Sequence, residues 1–316
     1  MGKFKKIVRH FFENHAPNSG NGLFASLEEL MDMRQYARYL KTNHVHQSYS
    51  KESGNLRSAF KGRGIEMEEL RAYQFGDDVR DIDWRVTARK EQPYTRVYQE
   101  ERDLEIYVWL DLSSLMLFGS QKELKSVTAS KIAALLAWAS IENKDRFGCA
   151  VFDGEETYFF KARRDVPYLT AILKKISEVS QKALQQPKSD SEARLKSLRR
   201  LQLETKNKVP LFVISSFLGW GDAFDRELAL LSQRTKLYLI DVFDSLEVKA
   251  PSSGQYMAAY GGQKLVLDSS DKKYRHVYAA YFEKLRQQRE DFCKRFGCHF
   301  IHFSSKQSFM RDLKIF

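Results

Sequence analysis

The chain has 316 residues, 43% hydrophobic and 13% aromatic. That is enough apolar material for one large or two modest folded domains, and too much for a disordered protein. Its longest apolar stretches, such as KIAALLAWASI (131–141), are too short to span a bilayer. The start carries no signal-peptide pattern and no myristoylation site, since Lys6 stands where Ser or Thr is wanted.

Three cysteines (Cys149, Cys293, Cys298) make no disulfide framework, so reduced thiols in a cytoplasmic protein are expected. The net charge of +11 favours anionic partners such as nucleic acid, acidic proteins or anionic lipid. The excess is concentrated in MGKFKKIVRHFF at the start and in KSDSEARLKSLRRLQLETKNK (188–208).

In chain order, Phe4, Ile7, Val8, Phe11 and Phe12 share one helical face, with Lys3, Lys5, Lys6, Arg9 and His10 opposite. Such a helix either docks on the protein's own body, the commoner case, or lies on an anionic membrane surface. SLEELMDMRQYARYL (26–40) is a second helix, with Ser26 as N-cap and Glu29 completing a capping box. Residues 41–61 are polar and irregular. YTRVYQEE (94–101) reads as a strand, and LEIYVWLDLSS (104–114) as a strand buried on both faces.

A long apolar helix follows (125–143). Two strands (146–152 and 156–162) are joined through Asp153-Gly154, a hairpin signal. Next come a helix with Pro167 in its first turn (166–184) and a basic helix expected to be exposed. A buried strand (209–217), a helix (222–233), a strand (235–243), an irregular insert (244–270), a helix (271–296) and a last strand (298–305) complete the chain. The alternation predicts an α/β fold, a doubly wound and mostly parallel sheet, over residues 102–316. Residues 1–101 form an N-terminal helical and extended module.

In such a sheet, ligands sit beyond the C-terminal ends of the strands, near the switch in strand order. The first main strand ends in DLSSLM, which offers Asp111 and Ser113 as hard oxygen ligands for Mg2+. The fourth ends in SSFLGWGD, which offers Ser215, Ser216 and Asp222.

The window RAYQFGDDVRDIDWRVTAR (71–89) poses a different problem. It packs Asp77, Asp78, Asp81 and Asp83 among Arg71, Arg80, Arg85 and Arg89, beside Tyr73 and Trp84. Interleaved arginines would hold the carboxylates ionised, which suits ion pairing better than proton transfer. The favoured reading is a structural clasp, with the acids paired to the arginines and Tyr73 and Trp84 packed over the join. A partner-binding surface comes second and catalysis last.

GRGIEMEELRAYQFGDDVRDIDW followed by LDLSSLMLFGS resembles the bacterial "domain of unknown function 58" family, whose signature is GxGxEFxElRxYxxGDDxRxIDW. The resemblance runs from about residue 26 to the end and takes in TARKEQPYTRVYQEE, the KDRFG turn (144–148) and FDSLEVKAPSSGQYMAAYGG (243–262). Met67 stands where Phe is usual.

The resemblance implies a von Willebrand factor A-like domain, which often binds a divalent metal through DxSxS plus an Asp and a Thr from other loops. Here Asp111 and Ser113 match. Leu115 falls on the third position, Ser216 stands where Asp is common, and 185–208 offers no convincing Thr. A tight Mg2+ site is therefore not expected. The alternatives are a weak Mg2+ site at Asp111 and Ser113, or a turn in which both hydrogen-bond loop backbone.

No P-loop and no nucleophile elbow occurs. His44 with His46, or Cys298 with His299 and His302, are weak zinc candidates. Family members resembling this chain are commonly encoded beside MoxR-type AAA+ ATPases. The resemblance therefore implies a non-enzymatic adaptor or co-chaperone, whose face at Asp111, Ser113, Ser216 and Asp222 binds a partner. A nucleic-acid binder using the 188–208 run and a metal-dependent hydrolase using the 77–83 acids are the competing readings.

Overall fold

The computed structural model describes residues 22–37, 65–74, 77–90, 92–100, 104–206, 208–251, 253–260 and 263–305. The N-terminal amphipathic helix and the His44/His46 pair lie outside the described residues. The chain divides into two compact units, residues 47–104 and the remainder.

The larger unit begins with two short helices, α1 (Leu27–Asp32) and α2 (Arg34–Ala37). The expected capping box is present. Ser26 Oγ accepts from the Glu29 backbone N–H at 3.2 Å, and Glu29 Oε2 accepts from the Ser26 N–H at 3.1 Å. Expected within the N-terminal module, these helices instead pack in the α/β body. The Trp138 indole N–H donates to Leu30 O at 3.1 Å, and the Ala25 N–H to Ser180 Oγ at 3.1 Å. Leu30 and Tyr36 are buried with them.

The smaller unit holds β1 (Ile65–Ala72), α3 (Trp84–Lys90) and β2 (Tyr94–Glu100), with β1 and β2 antiparallel and a bulge between Met67 and Glu69. β2 was expected. β1 and α3 were not.

The body continues with β3 (Glu105–Asp111), α4 (Lys125–Glu142), β4 (Arg146–Phe152), β5 (Thr157–Arg163), α5 (Val166–Gln185), α6 (Ser191–Glu204), β6 (Pro210–Ser215), α7 (Asp222–Arg234) and β7 (Lys236–Phe243). The stretch 244–270, expected to be irregular, forms α8 (Ser245–Val248) and a hairpin of β8 (Gln255–Tyr260) and β9 (Gln263–Asp268). A capping box between Asp244 and Glu247 sets α8. Then follow α9 (Lys272–Phe296) and β10 (His299–Ser304).

Six strands form one sheet in the order β10-β7-β6-β3-β4-β5. All pairs are parallel except β4 with β5, the Asp153-Gly154 hairpin. Counted in sequence, the order is doubly wound, with its switch between β3 and β6.

Side chains alternate across the sheet. Ile106, Val108 and Leu110 of β3 and Phe212 and Ile214 of β6 face α4, α5 and the two N-terminal helices. Tyr107, Trp109, Leu211 and Val213 face the side of α6, α7 and α9. α4 is buried nearly all round because it lies between the sheet and a further helical layer. Its alanines and serines permit that close packing.

Candidate functional site

The parity that fills the second core also aims the polar residues at the strand ends. Asp111 follows Trp109 on β3, and Ser215 follows Val213 on the neighbouring β6, so both face α6. The Ser215 hydroxyl donates to Asp111 Oδ2 at 2.7 Å, and the Ser113 backbone N–H to Asp111 Oδ1 at 2.9 Å. The switch point therefore does bring Asp111, Ser113 and Ser215 together. Asp111 and Ser113 both have 0% exposure. They support the end of the sheet from beneath and do not form its surface.

The fourth member of the cluster is Arg194, 1% exposed. Its Nη2 donates to Ser113 Oγ at 3.2 Å and to Ser189 Oγ at 2.9 Å, and its Nε lies 3.9 Å from Asp111 Oδ2. The guanidinium is flanked by Phe152 and Phe224, 5.8 and 6.0 Å from the ring centroids. Arg194, Leu198 and Leu201 fall at helical spacing on the buried face of α6. The basic segment expected to be solvated thus buries one of its arginines.

That arginine stands near the N-terminus of α6, where the helix dipole disfavours a cation. The Asp111 carboxylate opposes that cost. The segment before α6 is seated by backbone bonds, Asp190 N–H to Gly154 O at 2.7 Å and Ser114 N–H to Lys188 O at 2.8 Å. Gly154 has φ +103°, and a Cβ there would lie 2.1 Å from Lys188 O.

A divalent cation of the Mg2+ kind needs about six oxygen ligands. Here both Asp111 oxygens are engaged, Leu115 offers no ligand, and a fixed guanidinium already sits against the Ser113 hydroxyl and the carboxylate. The residues present do not fit a divalent metal. They fit an internal cation. Sequence reading passed over Arg194 because it took the whole run 188–208 for a charged face. The spacing Arg194-Leu198-Leu201 was the available signal.

The other expected members do not join this cluster. Ser216 is 9% exposed, its hydroxyl has no hydrogen-bond partner, and it lines a groove beside the strand ends. Asp222 is exposed in the first turn of α7.

The family described as "Protein of unknown function DUF58" matches residues 69–290. The chain belongs to the DUF58 family. Uncharacterized protein Rv1480 of Mycobacterium tuberculosis and Uncharacterized protein Mb1516 of Mycobacterium bovis are each 30% identical over 196 residues, 61% of this chain. The match spans only 59% of those relatives.

Similar solved structures include the conserved hypothetical protein BatB from Bacteroides thetaiotaomicron (12% identity, 67% of this chain and 95% of that one, TM-score 0.43). An aerotolerance-related membrane protein from Bacteroides fragilis is another (14%, 67% and 100%, TM-score 0.41), as is the SpRpn10 VWA domain (9%, 67% and 94%, TM-score 0.36).

Within the smaller unit of this DUF58 chain, the signature is held by local bonds more than by the expected set of acid–arginine pairs. Arg71 does pair with Asp77, Nη2 to Oδ1 at 2.7 Å, and Asp77 Oδ2 accepts from the Gln74 N–H at 2.9 Å. Asp78 caps the turn Val79–Asp81 through the Arg80 N–H at 3.0 Å, while the Arg80 guanidinium is 3.8 Å away and exposed. Asp83 is 8% exposed and caps α3, accepting from the Arg85 and Val86 N–H groups at 3.1 and 3.2 Å. The Tyr73 N–H donates to Pro93 O at 2.8 Å. Arg85 and Arg89 are exposed, and Trp84, expected to pack, is 65% exposed.

Much of the 188–208 charge is paired. Lys196 meets Glu192 at 2.8 Å, Arg199 meets Glu227 at 2.8 Å, and Lys206 meets Glu105 at 2.6 Å. The zinc candidates separate. His299 stacks on Tyr238 at 4.7 Å, and His302 Nδ1 lies 3.2 Å from Asp241. Among the described residues no group of three His, Cys, Asp or Glu side chains is placed to hold a metal, and no helix is long and apolar enough to cross a membrane.

Two buried carboxylates are shifted downward. Burial pushes Asp153 up, but the Glu156 N–H, the Lys182 ammonium and the Glu155 N–H outweigh it. Burial acts likewise on Asp244, outweighed by the hydroxyl and N–H of Ser120, the Leu246 N–H and the Ser305 hydroxyl. Asp244 thereby ties the loop after β7 to the segment before α4. The neighbouring Lys125, at 0% exposure, meets Glu247 at 2.5 Å.

Proposed function

We propose that this protein is a non-enzymatic interaction module, an adaptor or co-chaperone working with a MoxR-type AAA+ ATPase and its clients, and that it works without a metal. The observation that carries the reading is Arg194 bound inside the switch point. A carboxylate engaged by a buried guanidinium, a hydroxyl and a backbone N–H is poorly placed to act as base, nucleophile or metal ligand. The adjoining surface remains free for binding. The paired charges of α6 disfavour nucleic acid as partner, and the capping roles of Asp78 and Asp83 disfavour a hydrolase built on the signature. A cytoplasmic place, with peripheral membrane contact through the basic N-terminal segment, belongs to the same proposal.

The test is co-purification of the tagged full chain from its native cells, with and without EDTA, followed by mass spectrometry. The expected outcome is an AAA+ ATPase retained equally in both. Its absence, or retention only with Mg2+, would overturn the reading.

A further inference from the structure

A groove opens beside the strand ends of the larger unit, between the loop 216–220, the end of β7, α8 and the middle of α9. Three of its lining residues carry polar atoms with no hydrogen-bond partner: Ser216 Oγ, Trp220 Nε1 and Arg286 Nε. Ser216 and Trp220 are 9% and 7% exposed. An unpaired buried polar group is costly, and two of these three atoms can only donate. The Trp220 and Arg286 donors therefore lack an acceptor.

The charges of the groove point the same way. Glu247 is paired with Lys125 and Arg289 with both oxygens of Asp225, while Asp241 lies 3.2 Å from His302 Nδ1. Arg286 has one ion-pair contact, 3.4 Å to a Glu283 side chain that is 67% exposed, lies 5.4 Å from the Phe243 ring centroid, and is itself 25% exposed. It is the least compensated cation of the lining. The wall is otherwise aromatic, with Phe217, Phe243 and Phe282. Phe217 holds φ +51°, the left-handed region that a bulky side chain rarely enters. Such strain collects at binding sites.

N-terminal to the lining residues, α9 carries further aromatic rings. Tyr274, Tyr278 and Phe282 form a staircase of rings 6.1 and 5.1 Å apart, and Tyr281 beside it is 56% exposed.

We infer that this groove takes a short peptide segment of a partner protein that presents a carboxylate to Arg286 and Trp220 beside an aromatic or aliphatic side chain. The inference rests on the interaction reading above and gives it a site and a ligand chemistry.

The test selects a random peptide library, displayed on phage, on the immobilised full chain. Enriched peptides should place Asp or Glu next to Phe, Trp or Leu. The best one, synthesised and labelled, should bind Arg286→Gln at least about tenfold more weakly, the loss of one charge-assisted hydrogen bond. Arg286→Lys should lose less, and replacing the acid of the peptide by its amide should reproduce the tenfold loss. No enrichment, a consensus without an acid, or equal binding by Arg286→Gln would overturn the inference. Co-purification of the ATPase is run on the same variants. Capture that persists while peptide binding fails sinks the groove alone. Failed capture by the wild-type chain sinks the adaptor reading and leaves peptide binding to be judged by itself.

Discussion

Replacing Arg194 by Met removes the internal cation while keeping most of the side chain's length and its packing against Phe152 and Phe224. The ion pair it breaks lies at 3.9 Å between groups of 1% and 0% exposure. At an effective dielectric constant of about 20, two charges at that distance interact by about 4 kcal/mol. Removing one partner of a buried pair costs about 3–5 kcal/mol, because the other charge stays desolvated. The Ser215 hydroxyl and the Ser113 N–H still serve Asp111, so the expected loss is about 3 kcal/mol, at the lower end of that range. Asp111→Asn should cost a similar amount, since it leaves the Arg194 guanidinium buried near the N-terminus of α6 without the carboxylate that offsets it. The double variant should recover at least about 1.5 kcal/mol relative to the sum of the singles.

Urea unfolding followed by tryptophan fluorescence reads this directly, because the Trp109 indole N–H donates to Ser197 on the same helix at 2.7 Å. A loss below about 1 kcal/mol for Arg194→Met, or additive singles, would refute the internal-cation account.

Other expectations are as direct. Mg2+ or EDTA should leave the melting temperature of the wild-type chain unchanged, and a rise with Mg2+ would mean that a cation does enter the switch point. Gly154→Ala should destabilise by more than about 1 kcal/mol in the same urea assay, since φ +103° and the Lys188 carbonyl oppose any Cβ. Asp83→Ala should cost about 1 kcal/mol in the smaller unit through the lost α3 cap, seen as earlier proteolysis of that unit.

The acid limb follows from Asp153 and Asp244, both below the usual 3.8. Their stabilisation is complete above the unfolded value and is lost as pH falls through the lower folded values. Asp153→Asn with Asp244→Asn should thus be less stable at neutral pH and flatter below about pH 4. Burial and Lys236 hold His299 below 6.5. The unfolded chain takes that proton first, so stability also declines as pH drops below 6.5. Replacing His299 by Gln should remove that part of the slope.

The parallel sheet was legible because its strands obey a single rule, near-continuous apolar runs closed by polar residues. The same rule placed Asp111 and Ser215 at strand ends that the doubly wound order makes neighbours. Arg194 escaped because charge on a helix normally marks the solvated face, and only its register with Leu198 and Leu201 shows otherwise. The hairpin at 255–268 escaped because its two strands pair only with each other, so it leaves no run buried on both faces.

In the signature, acids serve the backbone as well as the arginines. Counting acids against arginines suggested a clasp of ion pairs, yet Asp78 and Asp83 bind backbone N–H groups two and three residues on. Those donors are already fixed by the turn and the helix, whereas an arginine must give up rotamer freedom to reach the same oxygen. Once these carboxylates serve as caps, Arg80, Arg85 and Arg89 are left exposed beside Trp84. Part of the charge of the window bends the backbone, while Arg71 keeps its pair with Asp77. The switch point inverts that arrangement, since there the arginine lies inside and no acid is left exposed to meet a partner. A partner must then be met by groups outside that buried cluster, and the unmet polar groups of Ser216, Trp220 and Arg286 line a groove at the same end of the sheet.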